Sequence, residues 1–127
     1  MGRLRTELLD RVEAFSHRVL DVVGMLDSKG VSRRIVDQIA ASGTSVGANV
    51  FEADEAMSRA DFVKCMSIAS KELSETRYWL RLVIAREWVS SLKGQPVLIE
   101  GLELQKIIGT MIVRSRRPSP YRPKEPA

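Results

Sequence analysis

Side chains suited to catalysis are few in this sequence of 127 residues. His17 is its single imidazole and Cys65 its single thiol. Glu13 lies one helical turn before His17 and can orient the ring, and a Cys65–His17 dyad would provide a nucleophile with its base. No motif favours that dyad. We therefore interpret His17 as a surface residue and Cys65 as a small buried apolar residue.

Carboxylates form the second group of candidates. Glu52, Asp54 and Glu55 follow one another closely, and Glu72 and Glu75 lie one helical turn apart. A ferritin-like di-metal site requires Glu-x-x-His motifs on two helices, and the sequence contains none. We therefore expect no enzymatic activity, no catalytic residue, no metal and no cofactor.

Basic side chains are concentrated in residues 114–127, RSRRPSPYRPKEPA, which carry the whole formal net charge of +4. Arginine binds phosphate through paired hydrogen bonds, and tyrosine stacks on unpaired bases. Arg33 and Arg34 form a second basic cluster at the start of a predicted helix. This pattern predicts nucleic-acid binding. The alternative is that the basic C-terminal residues only increase solubility. The predicted binding residues are Arg33, Arg34, Arg114, Arg116, Arg117, Tyr121, Arg122 and Lys124.

Four helices must position these side chains, because four segments repeat apolar residues every three or four positions. The first runs from Leu4 to Leu26 and stops at Gly30, and the second begins near Ser32. The third begins at the helix-start signal of Ser58, and the fourth at Pro96, since proline suits a first turn. The third helix has the fullest apolar stripe: Phe62, Met66, Ala69, Leu73, Thr76, Leu80 and Val83.

Gly43 and Gly47 lie one turn apart in the second helix and predict the close approach of another helix, not a phosphate loop. Asn49, in the same helix, is a candidate buried polar residue that fixes helix register. The whole pattern predicts an all-α fold, an antiparallel up-down-up-down four-helix bundle over residues 1–113. Four prolines then predict a disordered C-terminal tail over residues 114–127.

The third and fourth helices carry more apolar residues than one buried stripe requires. Surplus apolar surface indicates a partner surface, so we predict a homo-oligomer, although scattered exposed apolar residues are also normal. The predicted interface residues are Tyr78, Trp79, Leu82 and Ile84. A single cysteine, no secretion signal and no membrane-length apolar run predict a cytoplasmic protein with no membrane partner.

Residues 39–85, IAASGTSVGANVFEADEAMSRADFVKCMSIASKELSETRYWLRLVIA, resemble proteins encoded within 23S rRNA intervening sequences, also labelled S23-type ribosomal proteins. The resemblance is carried by SVGANVFEA, then by Asp61-Phe62, and then by SIASKELSETRYWLRL. Asn49 and Glu52 match the Asn-x-x-Glu motif of that family. Phe51 and Ala53 depart from it, since a small residue and a glycine are common there.

This resemblance implies an up-down-up-down bundle that assembles as a barrel-like homopentamer without enzymatic activity. The related accessory proteins of diversity-generating retroelements bind nucleic acid and a reverse transcriptase through basic surface. From the residues and the resemblance together, we predict a non-enzymatic oligomer that binds RNA or a nucleoprotein partner. The alternative is a protein–protein interaction scaffold without nucleic-acid binding.

Overall fold

The computed structural model describes residues 2–116 and contains four helices, α1 (Thr6–Ser28), α2 (Arg33–Asp54), α3 (Arg59–Ala85) and α4 (Ser91–Arg116). Each helix packs against its neighbours along the chain, and α4 closes against α1. Over the described residues no Cα atoms of the diagonal pairs, α1 with α3 and α2 with α4, come within 8 Å of each other. This is the antiparallel up-down-up-down bundle that the sequence predicted. None of the four helices combines the length and hydropathy needed to cross a bilayer.

The buried core follows the predicted apolar stripes. All seven stripe residues of α3, from Phe62 to Val83, are buried, as are Val12, Phe15 and Val19 on α1. The spacing of three and four residues keeps these side chains on one face of each helix, which packs against its neighbours. Burial of this apolar surface is the main force that holds the bundle together.

Helices α1 and α2 approach each other closely at two glycines. A Cβ atom added to Gly43 would collide with the Val19 side chain, and one added to Gly47 would lie 2.9 Å from Ser16 Oγ. The predicted tight helix contact is therefore confirmed. Asn49 does not fix the register as expected, because its side chain donates to the Ser45 carbonyl, at 2.9 Å, within its own helix.

The start of α4 differs from the prediction, because the helix begins at Ser91 and not at Pro96. Ser90 acts as the cap: its side chain accepts a hydrogen bond from Lys93 N–H at 3.3 Å. Pro96 lies in the second turn, where its missing N–H would have faced the carbonyl of exposed Leu92. At the other end α4 continues to Arg116, three residues past the predicted helix boundary at Val113, because the first proline after Pro96 is at position 118. The rest of the predicted tail, residues 117–127, lies outside the residues that the structure describes.

Two helix ends turn through the left-handed backbone region. Gly30 has φ of 70° after α1, as expected for a stop residue, and Glu87 has φ of 60° after α3. The amide of Trp88 donates to the Val83 carbonyl at 3.0 Å, and the amide of Glu87 donates to the Ile84 carbonyl at 2.9 Å. These two bonds form a Schellman motif, in which glycine normally takes the position that Glu87 occupies.

Candidate nucleic-acid interface

Two adjoining grooves lie at the end of the bundle where α3 begins and α4 ends. The larger has a volume of about 820 Å³ and the smaller about 340 Å³. The larger groove is lined by Arg59, Ala60, Val63, Lys64, Ser67, Ile68, Ser115 and Arg116. The smaller groove is lined by Arg3, Arg59, Phe62, Met111, Arg114 and Ser115. Arg59 and Ser115 belong to both, so the grooves form one continuous surface, which we name the basic end.

Local structure explains why distant parts of the sequence meet at the basic end. Antiparallel packing sets the first turn of α3 beside the last turn of α4, and the Ser58 side chain caps α3 by accepting from Asp61 N–H at 3.1 Å. The segment before α1 crosses the end of α2. There Arg3 donates its amide to the Asp54 carbonyl at 3.0 Å and its Nε to the Ala56 carbonyl at 2.9 Å. These bonds hold Arg3 at the edge of the smaller groove.

Among residues 2–116, the lining of the basic end contains five cationic side chains and no carboxylate. Arg114 and Arg116 stand in the last turn of α4, where cations stabilise the helix dipole. Arg59 is the first residue of α3, where a cation opposes the dipole. Helix stability therefore does not account for Arg59.

Acidic side chains near this end lie on the adjoining flank of α3, toward α2. Glu52, Glu55 and Asp61 line a separate pocket together with Cys65. Lys64 and Ile68 both border this pocket and the larger groove. Helix α3 therefore separates a basic surface toward α4 from an acidic one toward α2.

The structure brings together only some of the predicted nucleic-acid-binding residues. Arg114 and Arg116 line the basic end. Arg33 and Arg34 stand at the far end of α2, which has 22 residues and so a length of about 33 Å. The remaining four, Arg117, Tyr121, Arg122 and Lys124, lie outside the described residues.

Arg33 is also engaged within the chain. Its guanidinium forms an ion pair with Asp27 and lies 3.4 Å from an Asp37 carboxylate oxygen. Arg34 is exposed at the same helix start. A phosphate would have to compete with two carboxylates for Arg33, so the charge of this guanidinium is already partly neutralised within the chain.

The sequence did not predict that Arg3, Arg59 and Lys64 would line this basic surface. The signal for Arg59 was present, because a helix that starts at Ser58 in an antiparallel bundle must place its first residue beside the end of the fourth helix. Arg3 had no such signal, since its position depends on hydrogen bonds to Asp54 and Ala56 that only the folded chain makes.

The four predicted interface residues differ in how far one chain buries them. Tyr78 is 58% exposed, and its ring meets that of Trp79 edge to face with centroids 5.4 Å apart. Trp79 and Leu82 are half-buried, and Trp79 Nε1 donates to Glu75 at 3.1 Å. Ile84 packs over Gly94, where a Cβ atom would lie 2.6 Å from it. Tyr78 is therefore the member of this set with the most surface left for a partner.

The candidate catalytic side chains stand apart from one another. His17 Nε2 lies 3.8 Å from Glu13 Oε2 on the outer face of α1, and Cys65 stands on α3, the helix diagonal to α1. Burial raises the pKa of the Cys65 thiol, and the charges of Glu52 and Asp61 raise it further. A raised pKa makes a thiol a poor nucleophile. Over residues 2–116 no three His, Cys, Asp or Glu side chains are placed to hold a metal ion.

Comparison with known proteins adds a family and a solved relative. A family model described as 23S rRNA-intervening sequence protein matches residues 6–110, which span α1 to most of α4. A solved structure from Bacteroides thetaiotaomicron, described as a protein with unknown function from the S23 ribosomal protein family, is 34% identical with a TM-score of 0.78. The match covers 83% of this chain and 97% of that chain. No curated protein matches the sequence.

Proposed function

Because the chain belongs to the family of 23S rRNA-intervening sequence proteins, we propose that it is a non-enzymatic, oligomeric bundle that binds RNA or an RNA–protein complex. The basic end, supplemented by the basic residues after Arg116, is the proposed contact surface. The proposed setting is the cytoplasm, and an RNA-bound reverse transcriptase is one nucleoprotein of the expected kind. The resemblance noted in the sequence is thereby confirmed at the level of the family.

One observation supports this proposal most directly: two joined grooves are lined by five cations and, within the described part of the chain, by no carboxylate. The five are Arg3, Arg59, Lys64, Arg114 and Arg116. Guanidinium groups bind phosphate oxygens in pairs, and each phosphate contact releases a counterion. Cations that line two joined grooves suit a polyanion with regularly repeated charges. Binding of this kind weakens steeply as the salt concentration rises.

Self-association is the second part of the proposal. Leu92, Ile99 and Val113 remain exposed on the outer face of α4, and their spacing in multiples of seven sets them along one line of the helix. Together with Tyr78 on α3, they support an interface between copies. Several copies in one particle would present several basic ends, and tethering of weak contacts multiplies affinity. The homopentamer implied by the family resemblance is the expected form.

Light scattering on the purified full chain tests the assembly. We expect a mass five times that of one chain, and Tyr78→Asp should lower it because a buried interfacial charge is costly. Leu20→Asp, which places the same charge at an exposed apolar position on α1, is the matched control and should leave the mass unchanged. A monomer at micromolar concentration contradicts this part of the proposal.

Fluorescence anisotropy with a labelled RNA tests the contact surface. The double variant Arg59→Gln/Arg114→Gln should bind about tenfold more weakly, and the slope of log affinity against log salt should fall by roughly 0.7–0.9 for each phosphate that the variant no longer neutralises. Arg81→Gln removes an exposed charge from the same helix, about 33 Å from Arg59, and should bind as the unchanged protein does. Equal affinities for all three proteins would refute the basic end as the contact surface.

The alternative function is a protein-interaction scaffold, which the exposed line of Leu92, Ile99 and Val113 favours. In that case the apolar line of α4 docks a different protein and the basic residues add solubility. Complexes formed in this way resist nuclease and high salt, because apolar contacts strengthen with salt whereas phosphate contacts weaken.

A further inference from the structure

The larger groove of the basic end has a feature that phosphate binding does not require, an apolar floor. Ala60, Val63 and Ile68 of α3 line it together with the cations, and Ile68 is 36% exposed. Arg59, Lys64 and Arg116 form its basic rim. A site for phosphates alone needs only the rim, and covering the exposed apolar floor with an apolar group of a ligand would add favourable binding free energy.

Geometry along α3 relates the rim to the floor. Arg59 and Val63 are one helical turn apart, which is about 6 Å along the helix axis, and Lys64 and Ile68 repeat the same offset. A single ligand unit can therefore meet a cation with one end and an apolar side chain with the other. Ser67 and Ser115 add hydroxyl groups at the side of the groove, where they can bond to polar atoms of the ligand.

We propose that this groove holds unpaired nucleotides of a single-stranded RNA, with phosphates on the basic rim and base faces on the apolar floor. This inference rests on the proposed RNA binding and specifies its ligand. An unpaired base presents a flat apolar face beside its anionic phosphate, which matches the two surfaces of the groove. Bases in a duplex are stacked and paired, so a double helix offers mainly phosphates and 2′-hydroxyls.

Charge complementarity favours an RNA strand over other amphiphilic anions. The cations are not confined to the larger groove. Arg3 and Arg114 line the smaller groove, which shares Arg59 with the larger one. One anionic headgroup or one short carboxylate cluster would satisfy only the rim of the first groove. A strand with a phosphate at every unit uses both.

The test compares three labelled probes of equal phosphate number on the full chain: a single-stranded RNA, an RNA duplex and a single strand that lacks its bases. We expect the single-stranded RNA to bind about tenfold more tightly than either of the others, because only it can cover the apolar floor. Val63→Ser and Ile68→Ser should each remove most of this preference without changing the salt slope. Arg59→Gln should weaken the binding of all three probes.

Leu20→Ser is the matched control, since it exchanges an exposed apolar residue for serine on α1, away from the groove. Of the two floor residues substituted, Ile68 is the more exposed, so Ile68→Ser keeps the test valid if Val63→Ser fails to fold. Equal binding of the three probes, with Arg59→Gln still weakening each of them, overturns the base contact and leaves RNA binding intact. No binding of any probe refutes the proposed function itself, and tighter binding of poly-glutamate of equal charge also overturns the inference.

Discussion

Thr76 Oγ1 donates a hydrogen bond to Ser42 Oγ across 3.0 Å, and this pair joins α3 to α2 inside the apolar core. Both residues are buried. Each hydroxyl also lies near a carbonyl of its own helix, since Thr76 Oγ1 is 2.8 Å from the Glu72 oxygen and Ser42 Oγ is 3.4 Å from the Ile39 oxygen. Buried polar groups are costly unless paired, so these bonds keep two hydroxyls in the core and fix the register of the two helices.

The Thr76–Ser42 bond predicts unequal costs for single and double substitution. Thr76→Val and Ser42→Ala should each lower the free energy of unfolding by about 1 kcal/mol, because each leaves the partner hydroxyl without its bond across the helices. The double variant should be destabilised by less than the sum of the two, since it removes both polar groups together. Urea unfolding of the four proteins measures this difference, and strict additivity would show that the two hydroxyls do not interact.

Alanine at the glycines of the bundle should have opposite effects according to the space around each one. Gly43→Ala should destabilise the protein, because the collision of its Cβ with Val19 outweighs the gain of about 1 kcal/mol in helix propensity. Gly24 has no neighbouring atom within 4 Å of an added Cβ, so Gly24→Ala should be stabilising by up to that amount. Thermal unfolding monitored by circular dichroism compares them, and a stabilising Gly43→Ala would contradict the close approach.

The left-handed backbone at Glu87 predicts that glycine suits this position better. Glu87→Gly should raise the free energy of unfolding by about 1 kcal/mol, because it removes the steric penalty of a side chain at φ of 60°. Gly30 adopts φ of 70° at the end of α1, so Gly30→Ala should lower it by a similar amount. Urea midpoints of the two variants check the pair. A destabilised Glu87→Gly would mean that the glutamate side chain makes a contact that outweighs the strain.

The raised pKa of Cys65 predicts its reactivity. Burial and the charges of Glu52 and Asp61 disfavour the thiolate, so alkylation by iodoacetamide should reach half its maximal rate above the usual thiol pKa of about 8.5. Glu52→Gln should move that midpoint down, since it removes the nearest carboxylate charge, while Glu7→Gln should not. The folded chain holds the thiol proton more tightly than the unfolded chain, so stability should fall as the pH rises above about 8.5.

A bidentate ion pair between Arg11 and Glu100 joins α1 to α4. Arg11 Nε lies 2.7 Å from Glu100 Oε2, and Arg11 Nη2 lies 2.8 Å from Oε1. The Arg11 side chain is 40% exposed and that of Glu100 18% exposed, so water and salt screen the attraction. A double-mutant cycle with Arg11→Met and Glu100→Gln should give a coupling of about 1 kcal/mol or less, decreasing in 1 M salt. A coupling insensitive to salt would contradict an electrostatic origin.

Helix periodicity predicted the bundle well because burial in an antiparallel four-helix fold follows local spacing. Every stripe residue predicted for α3 is buried, and Gly43 meets Val19 as expected of a close approach. The start of α4 was placed wrongly, because proline at position 96 resembles a first-turn signal while the cap comes from Ser90. The basic end was found only in part, since its members come from residues 3, 59, 64, 114 and 116 and no local pattern links them.

Up-and-down packing sets the segment before Thr6 and the last turn of α4 at one end of the bundle. A bead, dye or biosensor surface attached at either place would stand over the two grooves and obstruct them. Lys29 lies in the connection between α1 and α2, at the opposite end and exposed. A coupling group introduced at position 29 alone would orient every immobilised molecule with its grooves facing the solution, whereas general lysine chemistry would also modify Lys64 in the larger groove.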